Sequence, residues 1–174
     1  GFSDSSRTIE WEEVPTKLGT IAINDLSFAP TNPRTYSVLD AESGDPQQEE
    51  IFEELLKRDH VRKLIRDIGA KGLLDPIWVI DESFVVFEGN SRLAAVRELN
   101  RTSKNRVPTI KCEIFPKDIT DNQVFYLLAR YHLDGKTKWD KYEQAGLLYR
   151  REKENPGNLD KDIATLGISP KTAR

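Results

Sequence analysis

The stretch Val85–Asn100, VVFEGNSRLAAVRELN, decides the reading of the fold. The run Ser83–Glu88 has strand character, Gly89 breaks it, and Leu93, Val96 and Leu99 then recur every three residues, as on one face of a helix. A strand therefore runs through a glycine turn straight into a helix. The start of such a helix presents unpaired backbone N–H groups and a partial positive charge. Gly89 lets the backbone approach a ligand closely, Ser91 reads as the N-cap, and Arg92 stands in the first turn, where a guanidinium grips a phosphate with two hydrogen bonds. Together these make an anion site. Taken alone, the segment favours a plainer reading: a tight turn, a solvated Arg92, and Glu88 as the strand-end residue that caps the turn.

Working outward, Pro76–Asp81 (PIWVID) is a short apolar run that reads as a buried strand, joined to Ser83–Glu88 through Asp81–Glu82. Upstream, Ile51, Leu55, Leu64, Ile65 and Ile68 lie on helical stripes from Glu49 onward, with a break near Asp59 and a stop at Gly69 and Gly72. Gly19–Phe28 alternates as a half-buried strand, Ala29–Tyr36 is a proline-bearing loop, and Ser37–Gln48 is an acidic, exposed insertion. Residues 1–17 read as polar and irregular, with Trp11 their only large anchor. Downstream, Val107–Phe115 is a third strand on which Cys112 is a small core residue. Past Pro116 the chain reads as wholly helical. Asn122–Tyr131, Trp139–Arg150 and Asp160–Leu166 are helices, and Trp139, Tyr142, Gly146 and Tyr149 share one broad face. A turn at Gly167–Pro170 opens a last, capped helix.

Composition bounds the function. The 174 residues are 32% charged and 37% hydrophobic, room for one compact domain and a small second one. No run of 18 apolar residues exists, so no membrane span is expected, and no secretory signal is expected either. A single cysteine and two histidines exclude a disulfide framework and make a protein-built metal site unexpected. The cysteine usage fits a reducing, cytoplasmic setting. The net charge of −3 does not advertise a nucleic-acid binder, although residues 119–174 carry +2 and the remainder −5. The start at Gly1, the lack of methionine, and the stop five residues past Ser169 read as ends inside a longer natural protein.

Two further segments shift the reading of the Gly89 turn. Asn32–Pro33–Arg34 is a rigid turn ending in a cation, and Gly72–Leu73–Leu74–Asp75–Pro76–Ile77 is a stiffened loop leading into a strand. In order, a strand, the NPR turn, a helix, GLLDPIWV, EGNSRLAA and a VP-containing strand, spanning Ile21–Phe115, resemble the N-terminal domain of the ParB partition proteins. That domain belongs to the ParB/sulfiredoxin-like superfamily. The resemblance implies an α+β fold: a small mixed β-sheet with flanking helices, followed by an all-helical module. It places the nucleotide-binding domain at 1–118 and a truncated DNA-binding module at 119–174.

The resemblance further implies binding of a nucleoside triphosphate, CTP first among them, with Mg2+. Carried over by position, Arg34, Gly72, Pro76, Ile77, Glu88, Gly89, Asn90, Ser91 and Arg92 hold it. Three departures stand out. The Gly89–Arg92 box has one of the family's two arginines. The family's Glu–Asn pair is missing near Arg130–Leu133, where His132 and Asp134 are the nearest polar candidates. Asn90 replaces the cysteine that sulfiredoxin chemistry requires. Asp162–Arg174 resembles a helix-turn-helix whose Ser169, Lys171, Thr172 and Arg174 meet DNA.

The implied function is a nucleotide-switched DNA-binding protein, nucleoid- or plasmid-associated, dimeric through a C-terminal region outside this chain. It allows a slow triphosphatase activity. The competing expectations are a phosphotransferase or nuclease on the same fold, with Glu88 as the candidate catalytic carboxylate, or a nucleotide-free scaffold of a plasmid or defence system.

Overall fold

A computed structural model describes residues 1–32, 35, 39, 46–104, 106–134 and 139–168. Its centre is one six-stranded sheet. The strands are β1 (Ser3–Ile9), β2 (Glu12–Ala22), β3 (Ser27–Phe28), β4 (Ile77–Ile80), β5 (Val85–Glu88) and β6 (Thr109–Phe115). Their order across the sheet is β1-β2-β6-β4-β5-β3. β1–β2, β2–β6 and β4–β5 are antiparallel, whereas β4–β6 and β3–β5 are parallel. The sheet is thus mixed, and the expected α+β architecture is the one observed.

Strand side chains alternate between the faces of a sheet, and here both faces are covered. Ile77 and Val79 of β4, Val86 of β5, and Ile110, Cys112 and Ile114 of β6 point into one core. It is closed by α1 (Gln48–Leu56), α2 (Asp59–Lys71) and α3 (Asn90–Thr102). Trp78, Phe87 and Phe115, the alternate residues, join Ile9 and Val14 in a second core. That core is closed by α4 (Asp121–Asp134), α5 (Lys141–Glu154) and α6 (Leu159–Thr165). Double coverage explains why PIWVID reads as a continuous apolar run rather than an alternating one. Cys112 is buried as expected, and burial pushes its thiol up to about 11, which keeps it protonated and unreactive at neutral pH.

The helical layer on the second face is tied by one buried cation. Arg151 of α5 donates to both Asp162 carboxylate oxygens of α6, at 2.7 and 3.1 Å, and to Asn122 Oδ1 of α4 at 2.8 Å. Its guanidinium also lies 3.9 Å from the centre of the Phe125 ring. Start signals agree with the elements they open: Gln47–Glu50 forms a capping box on α1 and Asp140–Glu143 one on α5.

Several expectations are corrected. Residues 1–17 are not irregular: they form a hairpin of β1 and β2 that turns on Glu10 and Trp11, both at positive φ. A two-residue turn with two left-handed positions usually carries Asn-Gly or Asp-Gly, and Glu-Trp gives no such signal. Trp11 anchors nothing and is 97% exposed. The strand read at Gly19–Phe28 is the end of β2, a 3-10 turn at Ile23–Asp25 and the short β3. Gly69 does not stop α2. It lies inside the helix where Leu99 of α3 crosses, and a Cβ would meet Leu99 at 3.3 Å; Gly72 alone, at φ 74°, ends α2. Ser91 is not the N-cap: Gly89 at φ 99° turns the chain so sharply that α3 starts at Asn90. Finally, Tyr142 and Tyr149 face solvent, because Leu148 and Arg151 turn the opposite side of α5 inward.

Candidate functional site

The carboxyl end of β5, the Gly89 turn and the first turn of α3 form the centre of the site. Gly89 is required twice. Its φ of 99° is one that side-chain-bearing residues rarely adopt, and a Cβ there would sit 2.8 Å from Ile77 Cβ and 3.1 Å from Arg92 Nη2. Ile77, fully buried, is therefore the floor under the turn. Gly89 has no capping side chain, so the N–H groups of the first turn of α3 are not taken up by an N-cap residue.

Asn90 is structural. Its side chain accepts from Ala29 N at 3.1 Å and donates to Val86 O at 2.8 Å, pinning the loop after β3 to the turn. Ser91 Oγ lies 2.9 Å from His60 Nε2 of α2. Arg92 folds back across the Gly72–Ile77 loop. Its Nη1 donates to Asp75 O and Pro76 O at 3.0 and 3.1 Å, and its Nη2 donates to Glu88 Oε2 at 2.5 Å. The guanidinium is thus the clasp that joins the two sequence motifs across the site.

Glu88 also faces the helical layer. Its Oε1 is 3.6 Å from His132 Nε2 near the end of α4. His132 stacks on Trp139 with ring centres 4.3 Å apart, and its neighbour Tyr131 meets Trp78 edge-on at 4.9 Å. Burial, together with the Glu88 and Asp75 carboxylates, holds the Tyr131 phenol above its ordinary range, against an opposing pull from Arg92. On α5, Arg150 Nη1 donates to Thr31 O at 3.2 Å. The turn is therefore in contact, through Glu88 and through the 29–32 loop, with two helices of the second layer.

Pro76, Ile77, Glu88, Gly89, Asn90, Ser91 and Arg92 lie together here, while Gly72 ends α2 at the start of the loop that Arg92 clasps. Arg34 and the helix-turn-helix candidates Ser169, Lys171, Thr172 and Arg174 lie outside the described residues. Sequence reasoning missed His60, Trp139 and Arg150, which arrive from distant elements without any motif; His132 was visible only as a polar residue near a missing family motif. The donor set of a guanidinium, a hydroxyl and a helix N-terminus fits a phosphate. It does not fit a protein-built magnesium site: no group of three metal-binding side chains exists among the described residues, and Glu88 is already engaged by Arg92. Among the described residues no helix is long and apolar enough to cross a membrane.

The sequence matches no protein-family profile and no curated protein. Among solved structures, the chain is similar to a Pnob8-like ParB-N domain, with a TM-score of 0.52 and 12% identity over 86% of this chain and 51% of that one. A C-terminally truncated chromosome-partitioning protein ParB from Caulobacter crescentus, complexed with CTP-gamma-S, is matched at a TM-score of 0.43 and 17% identity, over 90% of this chain and 74% of that one. The chain thus spans about half the length of the first structure. At such identities the likeness concerns the fold alone: this chain's α+β fold, with its mixed six-stranded sheet, is similar to that of a ParB-N domain.

Proposed function

We propose that the chain is a ParB-like nucleoside-triphosphate-binding protein, CTP being the first candidate, whose nucleotide switches the position of a DNA-binding helical region. In this reading residues 1–118 hold the nucleotide and residues 119–174 begin the DNA-binding part. The observation that carries it is the convergence of two separate motifs, at 72–77 and 88–92, on the uncapped N-terminus of α3.

The chain's own residues supply the chemistry. The first-turn N–H groups, the Ser91 hydroxyl and the Arg92 fork are donors for phosphate oxygens. A phosphate at this position competes with Glu88 for Arg92. Release of Glu88 changes what faces His132, and so what seats the end of α4. A ligand shifts such an arrangement only by binding one form better than the other, and Glu88 provides that difference. No step is assigned to a metal.

Calorimetric titration with a panel of ribonucleoside triphosphates, with and without magnesium, tests this. One triphosphate is expected to bind preferentially, and Arg92→Lys, which keeps the charge opposite Glu88 but loses the fork, to weaken it at least about tenfold. A folded protein that binds no triphosphate is instead a nucleotide-free scaffold.

Glu88→Gln separates the switch from an enzyme. Removing a negative charge beside the phosphate is expected to tighten triphosphate binding by about tenfold, equivalent to about 1.4 kcal/mol. Phosphate transfer or DNA cutting by the parent protein, abolished by Glu88→Gln, would instead establish Glu88 as a catalytic carboxylate.

A further inference from the structure

The two edges of the sheet are treated very differently. An edge strand offers unpaired N–H and C=O groups to any passing strand, and proteins normally blunt it. The β3 edge is two residues long and blocked: Phe28 N donates to Gln48 Oε1 at 2.7 Å, and Gln48 Nε2 donates back to Phe28 O at 2.9 Å. The β1 edge is seven residues long, and no strand of the described residues pairs with it. It has no proline and no lysine, and Ser3, Asp4, Ser6 and Thr8 are exposed.

The register shows which groups are free. Ser6 stands opposite Pro15, and proline has no N–H to exchange. Residues of an antiparallel pair alternate between bonded and non-bonded positions. Asp4, Ser6 and Thr8 are therefore the non-bonded positions toward β2, and their backbone groups point to the open edge.

We infer that β1 is the interface for a second copy of this chain, joined by antiparallel β1–β1 pairing about a two-fold axis at Ser6. Three observations favour a second copy over another partner. First, the register is self-complementary. Full overlap sets Ser6 opposite Ser6, Asp4 opposite Thr8 and Ser5 opposite Arg7, so no like charges meet. Arg7 stays occupied within its own chain by Glu113 and by Trp78, whose ring centre lies 4.8 Å from its guanidinium. Second, all three outward-facing residues meet outward-facing partners, which forms about six ladder hydrogen bonds. Third, the strand ends carry unspent apolar surface. Trp11, 97% exposed, sits at one end, and Phe2, 56% exposed and lying over Gly19, at the other. Antiparallel pairing brings the Trp11 turn of each copy beside Phe2 of the other, giving an aromatic contact at both ends. The dimer is a continuous sheet and is closed by its own symmetry. It uses neither the triphosphate turn nor a C-terminal region.

Sedimentation velocity over a concentration series of the unliganded chain tests the interface. A species of twice 19.9 kDa is expected, with blue-shifted emission from Trp11, the one exposed tryptophan beside the buried Trp78 and Trp139. Ser6→Pro removes an outward N–H and leaves the backbone ladder of the hairpin intact, losing only the exposed Ser6 Oγ–Glu13 Oε1 bond. Ser6→Lys and Ser6→Glu each set like charges on the two-fold axis. All three are expected to give monomers, and an equimolar mixture of the Lys and Glu variants to recover the dimer. Trp11→Gly relieves a left-handed residue, so the chain stays folded while the dimer weakens at least about tenfold by loss of the aromatic contacts. A monomer at all concentrations, or a dimer that every Ser6 variant leaves intact, overturns the inference.

Discussion

Arg151→Ala is expected to cost about 3–5 kcal/mol of folding stability. The reason lies in what is left behind. Asp162 is 4% exposed, and Arg151 supplies two of its hydrogen bonds. Truncating the arginine strands a buried carboxylate, unpairs Asn122 and removes the guanidinium from Phe125. All three effects fall on the contact between α4, α5 and α6, so that layer should loosen first. Chemical denaturation measures the loss. Arg151→Met with Asp162→Leu removes both charges and should recover much of it, because a buried ion pair contributes little over well-packed apolar residues. Arg62→Ala is the control: its pair with Asp59 is exposed on both sides, and such pairs contribute about 0–1 kcal/mol. A loss at Arg151→Ala no larger than at Arg62→Ala would falsify the account.

Gly89→Ala should cost about 2–5 kcal/mol, the sum of a left-handed backbone and an overpacked contact. Gly72 shows a backbone cost without a contact cost, at φ 74° and ψ −176°. It also has positive φ, but a Cβ there meets nothing within 4 Å. Gly72→Ala therefore carries only the backbone cost, about 1–3 kcal/mol. Gly89→Ala carries in addition the collision with Ile77, which moves β4 against the first turn of α3. Under the proposed function, triphosphate affinity should fall with Gly89→Ala at temperatures where the protein is still folded, because the turn itself is displaced. A Gly89→Ala loss no larger than a backbone cost alone, about 1–3 kcal/mol, would mean that Ile77 gives way freely and that the floor under the turn is soft.

Much of the site was legible because its key residues are close in sequence. The Glu88–Gly89–Asn90–Ser91–Arg92 turn joins adjacent elements, and a strand ending at a glycine before a helical period is a local pattern. The roles within it were less legible. Arg92 reads as a cation awaiting an anion, yet in the fold its donors go to Glu88 and to two carbonyls of the 72–77 loop. Ser91 reads as a cap, yet the left-handed Gly89 starts the helix two residues earlier and leaves the hydroxyl to His60. The first hairpin was illegible, because Glu10–Trp11 carries no turn signal and the hairpin is held by the pairing of its two strands from Ser3–Leu18 to Ile9–Glu12.

By itself the sequence determined the elements around the turn, the positive-φ glycines Gly72 and Gly89, and the α+β class. Those follow from short-range sterics and from hydrophobic period, both of which act within a few residues. Only the tertiary structure decided that the helices after Pro116 cover the second face of the sheet, that Glu88 faces His132, and that β1 is left as an open edge while Gln48 closes the other. These depend on which surfaces remain to be buried once the sheet has formed. No local pattern encodes that, because the partners are brought together by packing rather than by proximity along the chain.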